Sequence, residues 1–186
     1  MRTIEAVKTL AEWDRSGWSV FTLPDLRKLF PHQSDKTLSE SLRRMVRQGV
    51  LERVANGVFV NPLSGHSRVG LFERIASAIR CGEYNYISLE SALSEWGVIS
   101  QVPQAYLTVM TTGRKGTFRT PYGVIEFTHT KRSPADIARN TIERGRPLQI
   151  ATAPAALRDL RRVGRNLHLV DLEALQEYID AKEQAS

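Results

Sequence analysis

The stretch "SESLRRMVRQGVLERVANGVFVNP", Ser39 to Pro62, constrains the fold more than any other part of the chain. It joins an arginine-bearing helical pattern, a glycine stop, a short apolar strand, an Asn-Gly turn and a second apolar strand. Leu38, Leu42, Met45 and Val46 fall within one arc of about 100° at helical pitch. The opposite arc carries Lys36, Glu40, Arg43, Arg44 and Arg47, with Thr37 at its edge. Ser34 or Asp35 is the expected N-cap, and Gly49 is a typical C-terminal stop. Val50 and Leu51 then begin a strand. Asn56-Gly57 is the strongest short-range signal for a type I′ hairpin, and Val58, Phe59 and Val60 return as the partner strand.

The residues before this stretch complete a pattern. Ile4, Val7, Leu10 and Ala11 give a one-faced helix that Gly17 ends. Trp18 to Phe21 reads as a short strand. Thr22 caps a second helix with Asp25 as its box partner and Pro24 in the first turn. Leu26, Leu29 and Phe30 form its inner face, and Pro31 stops it. The order is helix, strand, helix, helix, two-stranded ribbon, which predicts a winged helix-turn-helix over residues 1–62. In that fold the third helix buries one face and offers the other to a DNA major groove, and the hairpin is the wing. The expected DNA-binding residues are Lys36, Thr37, Glu40, Arg43, Arg44 and Arg47 of the helix, with Arg53, Asn56 and Gly57 of the wing.

Charge agrees with a polyanionic partner. Residues 1–63 hold 10 basic and 7 acidic side chains, residues 112–165 hold 12 and 4, and residues 166–186 hold 1 and 5. The central excess predicts a second basic surface of Arg114, Lys115, Arg119, Arg158, Arg161 and Arg162, with a solvated face as the plainer alternative. No apolar run approaches the roughly 18 residues of a membrane span. The amphipathic start "MRTIEAVKTLAEW" is not a signal peptide, and a single cysteine, Cys81, forms no internal disulfide. A cytoplasmic location with no membrane partner is expected.

Beyond "NPLSGHS" (Asn61 to Ser67), which reads as a linker, residues 68–186 predict a C-terminal domain. Helices are expected near Arg68–Arg80 and over "YISLESALSEWGVI", the latter with Ser88 as N-cap. "YLTVMTT" and "GVIEFTHT" alternate like strands, and the basic connection "GRKGTFRTPYG" suggests a third strand of an antiparallel meander. "LQIA" suggests another strand, "APAALRDLRRVG" a helix, and "LVDLEALQEYIDAK" a closing helix capped by Asp171. The fold class is therefore α+β: a winged helix-turn-helix followed by a mixed α/β domain with a small antiparallel sheet.

No catalytic constellation is visible. His32, His66, His129 and His168 lie in no ligand-spaced pair, "GRKG" lacks the phosphate-loop spacing, and no Gly-x-Ser-x-Gly elbow occurs. No enzyme activity, metal or cofactor is expected. Cys81 reads as a buried small hydrophobe, and Trp13, Trp18 and Trp96 read as core.

With this layout the chain resembles the AbiEi-type transcriptional regulators, the antitoxin half of the AbiE abortive-infection toxin–antitoxin systems of bacteria and archaea. The residues that carry the resemblance are "LRRMVRQGVLERVANGVFVNP", "YISLESALSEWGVI", "LTVMTTGRKGTFRTPYGVIEF" and "IATAPAALRDL", and the resemblance covers nearly the whole chain. Where the family pattern leads one to expect Ala-Ser/Thr-Pro-Glu, this chain has "ATAPAAL" with Ala153-Pro154. The resemblance implies a repressor that binds operator repeats in its own promoter. It also implies an antiviral-defence antitoxin that counters a cognate nucleotidyltransferase-type toxin, directly or indirectly. Two other classes fit the same pattern: a nucleic-acid-binding accessory domain of an RNA- or DNA-modifying system, and a winged-helix protein-interaction module.

Overall fold

The computed structural model describes residues 3–65, 70–100 and 105–184. The chain divides into two compact units, Met1–Cys81 and Gly82–Ser186.

The first unit runs α1 (Thr3–Arg15), β1 (Val20–Thr22), α2 (Leu23–Leu29), α3 (Asp35–Arg47), β2 (Glu52–Ala55), β3 (Val58–Val60) and α4 (Leu71–Ile79). Its antiparallel sheet has the order β1-β3-β2. Local chemistry sets the helix starts. Thr22 and Asp25 form a reciprocal capping box with Pro24 in the first turn, and the Ser34 hydroxyl accepts from the Thr37 amide. The core beneath the helices joins Ala6, Leu10, Phe21, Leu26, Phe30, Leu38, Leu42, Met45, Leu51 and Phe59.

Several expectations in this unit are corrected. Ile4 and Ala11 are exposed, because α1 buries the narrower stripe of Ala6 and Leu10. Trp13 and Trp18 are not core: both are exposed and stack edge-to-face with centroids 5.9 Å apart. Val50 and Leu51 are buried ahead of the strand, which starts at Glu52. The hairpin is not type I′. Gly57 alone takes a left-handed φ, at +71°, while Asn56 does not. A bulge between Arg53 and Ala55 supplies the twist that the primed turn would otherwise provide.

The segment read as a linker is tied down over its described part. Asn61 is buried and its amide donates to the Ser19 carbonyl at 2.8 Å. The Asp14 carboxylate accepts from the Ser64 hydroxyl and from the Gly65 amide. His66 and Ser67 lie outside the described residues. The helix after them, α4, packs on β1 and β3 through a face of Leu71, Ile75 and Ala76. The first unit therefore extends to Cys81 rather than ending at residue 62. Cys81 is exposed, so it does not act as a buried hydrophobe.

The second unit runs β4 (Asn85–Ile87), α5 (Leu89–Glu95), β5 (Tyr106–Thr111), β6 (Gly116–Thr120), β7 (Gly123–His129), α6 (Pro134–Asn140), β8 (Thr141–Ile142), β9 (Gln149–Ala151), α7 (Ala153–Val163), a 3-10 turn (Leu167–Leu169) and α8 (Leu172–Gln184). Its six strands have the order β6-β7-β5-β4-β9-β8. This is a larger, mixed sheet rather than a small antiparallel one. β5 pairs with β7 in parallel, as does β4 with β9, and the other pairs are antiparallel. The reason is burial. Residues Leu107 to Thr111 of β5 are all buried, so β5 belongs inside the sheet. The alternating, half-exposed β6 cannot sit between β5 and β7 and instead forms the edge. Arg68 lies outside the described residues, and "YISLESALSEWGVI" is a strand before it is a helix.

The junction between β4 and α5 is strained and heavily bonded. Leu89 is fully buried with φ +56°, a conformation that costs an L-residue about 1–2 kcal/mol. Around it Ser88 and Glu90 reach two interior polar groups. The Ser88 hydroxyl donates to Asp159 Oδ2 at 2.8 Å, and Arg132 Nη2 bonds Asp159 Oδ1 at 2.6 Å. Ser88 thus does not cap α5 with its side chain; Thr108 Oγ1 on β5 accepts from the Ser91 amide in its place, at 3.0 Å. Glu90 bonds Arg165 Nε at 2.7 Å, and Arg165 also bonds Glu126 at 2.6 Å. Burial opposes the charge on Glu90, but its bonds to Arg165 and Asn166 hold its carboxyl below the ordinary range. Burial, with the Asp159 charge next, pushes the Tyr86 hydroxyl up to about 12. Trp96 is partly buried, and its Nε1 donates to the Ala151 carbonyl at 2.7 Å. Among the described residues, no helix is long and apolar enough to cross a membrane.

Candidate nucleic-acid interface

The outward face of α3 and the hairpin β2–β3 enclose a groove of about 720 Å³. Its helix wall is Ser39, Glu40, Arg43, Val46 and Arg47; its hairpin wall is Arg53, Asn56, Gly57 and Phe59. The helix wall follows from periodicity, since positions 36, 39, 40, 43 and 47 share one face at i+3 and i+4 spacing. Arg43 and Arg47 are exposed and form no hydrogen bond or ion pair with any described residue. Their guanidiniums are therefore available to an external anion or a base edge.

The other wall is built by local bonds. Arg53 folds back over the turn, donating from Nη2 to Asn56 Oδ1 at 2.7 Å and from Nε to the Ala55 carbonyl at 3.4 Å. The turn itself is fixed to the helical layer, because the Leu23 amide donates to the Gly57 carbonyl at 2.7 Å. Arg53 and Asn56 thus stand as one unit opposite Arg43 and Arg47.

The residues expected to touch DNA are not all in the groove. Lys36 is exposed on the first turn of α3, outside the groove lining. Thr37 belongs to the helix cap: its amide donates to Ser34 Oγ and the two hydroxyls are 2.8 Å apart. Arg44 is half-buried and does not line the groove. It lies on the row Ser41–Arg44–Gln48, where Ser41 is buried and Gln48 Oε1 accepts from Thr3 of α1 at 3.1 Å. That row is not part of the groove wall. Five lining residues lie outside the expected set: Leu42, Val46 and Phe59, expected to be apolar packing, and Ser39 and Leu23. Ser39 sits four before Arg43, so its spacing was available as a signal. Leu23 is brought in by the tertiary bond to Gly57, which no local pattern announces.

The second basic surface is partly assembled. Arg162 Nη2 donates to the His129 carbonyl at 2.9 Å, and His129 Nδ1 is bonded to the Gly113 carbonyl at 2.8 Å. Arg162 and the turn bearing Arg114 and Lys115 are thereby held at one end of β7. Arg158 is exposed one turn before Arg162 on α7, and Arg161 is exposed beside it. Arg119 lies farther along, within β6, four residues after Lys115. Several basic residues of this stretch are internally paired. Arg132, Arg139, Arg144, Arg146 and Arg165 pair with Asp136, Asp159, Glu95, Glu90 and Glu126. Two of these acids, Glu90 and Glu95, come from outside the basic stretch, so counting charge along the chain overstates the exposed excess.

No protein-family model matches the chain, and no curated protein matches it. A solved structure, that of the Rv2827c protein from Mycobacterium tuberculosis, is similar at 19% identity and a TM-score of 0.44, covering 72% of this chain and 46% of that one. The chain spans less than half the length of that neighbour.

Proposed function

We propose that the chain is a sequence-specific DNA-binding repressor of the AbiEi type, acting in the cytoplasm without catalysing a reaction. The first unit is read as a winged helix-turn-helix, with α3 as the helix that enters the major groove and β2–β3 as the wing. The observation that carries this reading is the groove in which Arg43 and Arg47, free of internal partners among the described residues, face Arg53 and Asn56. Two exposed guanidiniums one helical turn apart suit guanine edges or successive phosphates. The bonded Arg53–Asn56 pair suits a backbone or minor-groove contact.

In this reading the ligand is double-stranded DNA carrying operator repeats in the chain's own promoter. The second unit is the antitoxin part, opposing a nucleotidyltransferase-type toxin encoded beside it. The support for that half is the resemblance of "YISLESALSEWGVI" and "GTFRTPYGVIEF" to the family. The test is a gel shift of the chain's upstream DNA against a shuffled duplex of equal length. A shift confined to the upstream sequence is expected. Equal shifts would leave only charge-driven binding, and no shift would favour a protein-interaction module. Co-expression with the neighbouring gene product, read as growth, tests the antitoxin role.

A further inference from the structure

Glu40 is out of place on a surface meant for a polyanion. It is exposed on the helix wall of the groove, with Lys36 at i−4 and Arg43 at i+3. Both spacings allow a helix-surface ion pair. Glu40 nevertheless forms no hydrogen bond or ion pair with any described residue. Asp35 on the same helix, by contrast, does pair, with Arg27 Nε at 2.9 Å. The Glu40 carboxylate is therefore committed to no structural partner, and it lines the same groove as Arg43 and Arg47.

A carboxylate pointed at phosphates only repels them, so its presence there lowers general affinity for DNA. It gains a favourable contact on DNA at one kind of group: an exposed base-edge donor. In the major groove the cytosine N4 amine is such a donor, and glutamate is a suitable acceptor. We infer that Glu40 is a specificity-determining residue that selects cytosine at one position of the target, with Arg43 reading guanine at the same or a neighbouring pair. The two side chains are about 5–6 Å apart at their Cβ atoms, and base pairs rise 3.4 Å along each strand. One C·G pair or two adjacent pairs fit that separation. This inference rests on the reading of α3 as the DNA-entering helix.

The mechanism has two parts. Glu40 repels phosphates at every site, and at the correct site the cytosine amine offsets that repulsion. Discrimination therefore arises from what the residue excludes as much as from what it binds.

The experiment is selection of a randomised duplex pool by the full-length chain and by Glu40→Ala and Glu40→Gln, with titration of a non-specific duplex alongside. The site is exposed and both replacements form helices well, so folding is retained. For the natural chain, a preferred sequence with cytosine at one position is expected. Glu40→Ala should lose that single preference, by about tenfold, while binding the non-specific duplex more tightly. Glu40→Gln should move the preference toward adenine, whose N6 and N7 suit a carboxamide. If the natural chain selects a sequence and Glu40→Ala selects the same one with equal stringency, the role of Glu40 is refuted while the DNA-binding reading stands. If the natural chain selects no sequence at all, the DNA-binding reading itself fails and this inference with it.

Discussion

Arg44→Ala and Arg47→Ala should have opposite consequences, although the residues are three positions apart on one helix. Arg47 is exposed, lines the groove and has no internal partner among the described residues. Its removal should change stability by no more than about 0.5 kcal/mol, the range for surface sites. Its cost appears on DNA. A base-edge contact is worth about 1–3 kcal/mol, roughly 5- to 150-fold in Kd. A phosphate contact would instead weaken all sequences alike and reduce the slope of log affinity against log salt by about 0.9. Arg44 is half-buried and does not line the groove. Truncating it removes the packing of its aliphatic stem and destabilises the first unit by about 1 kcal/mol, with operator affinity retained. The assay is fluorescence anisotropy with the operator duplex at two salt concentrations, paired with urea denaturation of each variant. Operator binding by Arg47→Ala equal to that of the natural chain would refute the docking geometry. So would a loss of sequence preference in Arg44→Ala with unchanged stability.

Three further outcomes follow from the same structure. At Gly57 a Cβ would lie 3.7 Å from Leu23 Cβ, so space is adequate and only the φ of +71° resists substitution; Gly57→Val should cost about 2 kcal/mol in the first unit and weaken DNA binding, measured by melting and gel shift. Asp159 is fully buried between Ser88 and Arg132, so Asp159→Asn leaves a partly buried guanidinium short of its charge partner, with Asp136 still 3.7 Å away. A loss of about 3 kcal/mol is expected, seen by calorimetry as a fall of about 10 °C or more in melting temperature for a unit of this size. Glu90 is held below its ordinary value of 4.5. Its contribution is complete above that value and is lost as pH falls through the lower folded one, so urea midpoints of the natural chain should drop more steeply below pH 4.5 than those of Glu90→Gln.

What the sequence alone determined lies in short-range chemistry. The Thr22–Asp25 box, the Ser34 cap, the Gly49 stop and the buried stripe of Leu38, Leu42 and Met45 are all local rules acting over three to seven residues, and the structure contains each of them. α6 could have been read in the same way, since Ser133 followed by Pro134 is a cap and a first-turn proline. The tertiary structure alone decided which strands are neighbours, because pairing depends on burial of whole strands. A fully buried β5 and a half-exposed β6 place β7 between them, against their order along the chain. It also decided which arginines are available. Periodicity puts Arg44 outward with Arg43 and Arg47, but the fold leaves it half-buried and outside the groove. Within the basic stretch of residues 112–165, Arg144, Arg146 and Arg165 are paired with Glu95 and Glu90 from an earlier helix. Those partners are distant in the chain, and the energy that places them comes from burying apolar faces, which local patterns of charge do not record.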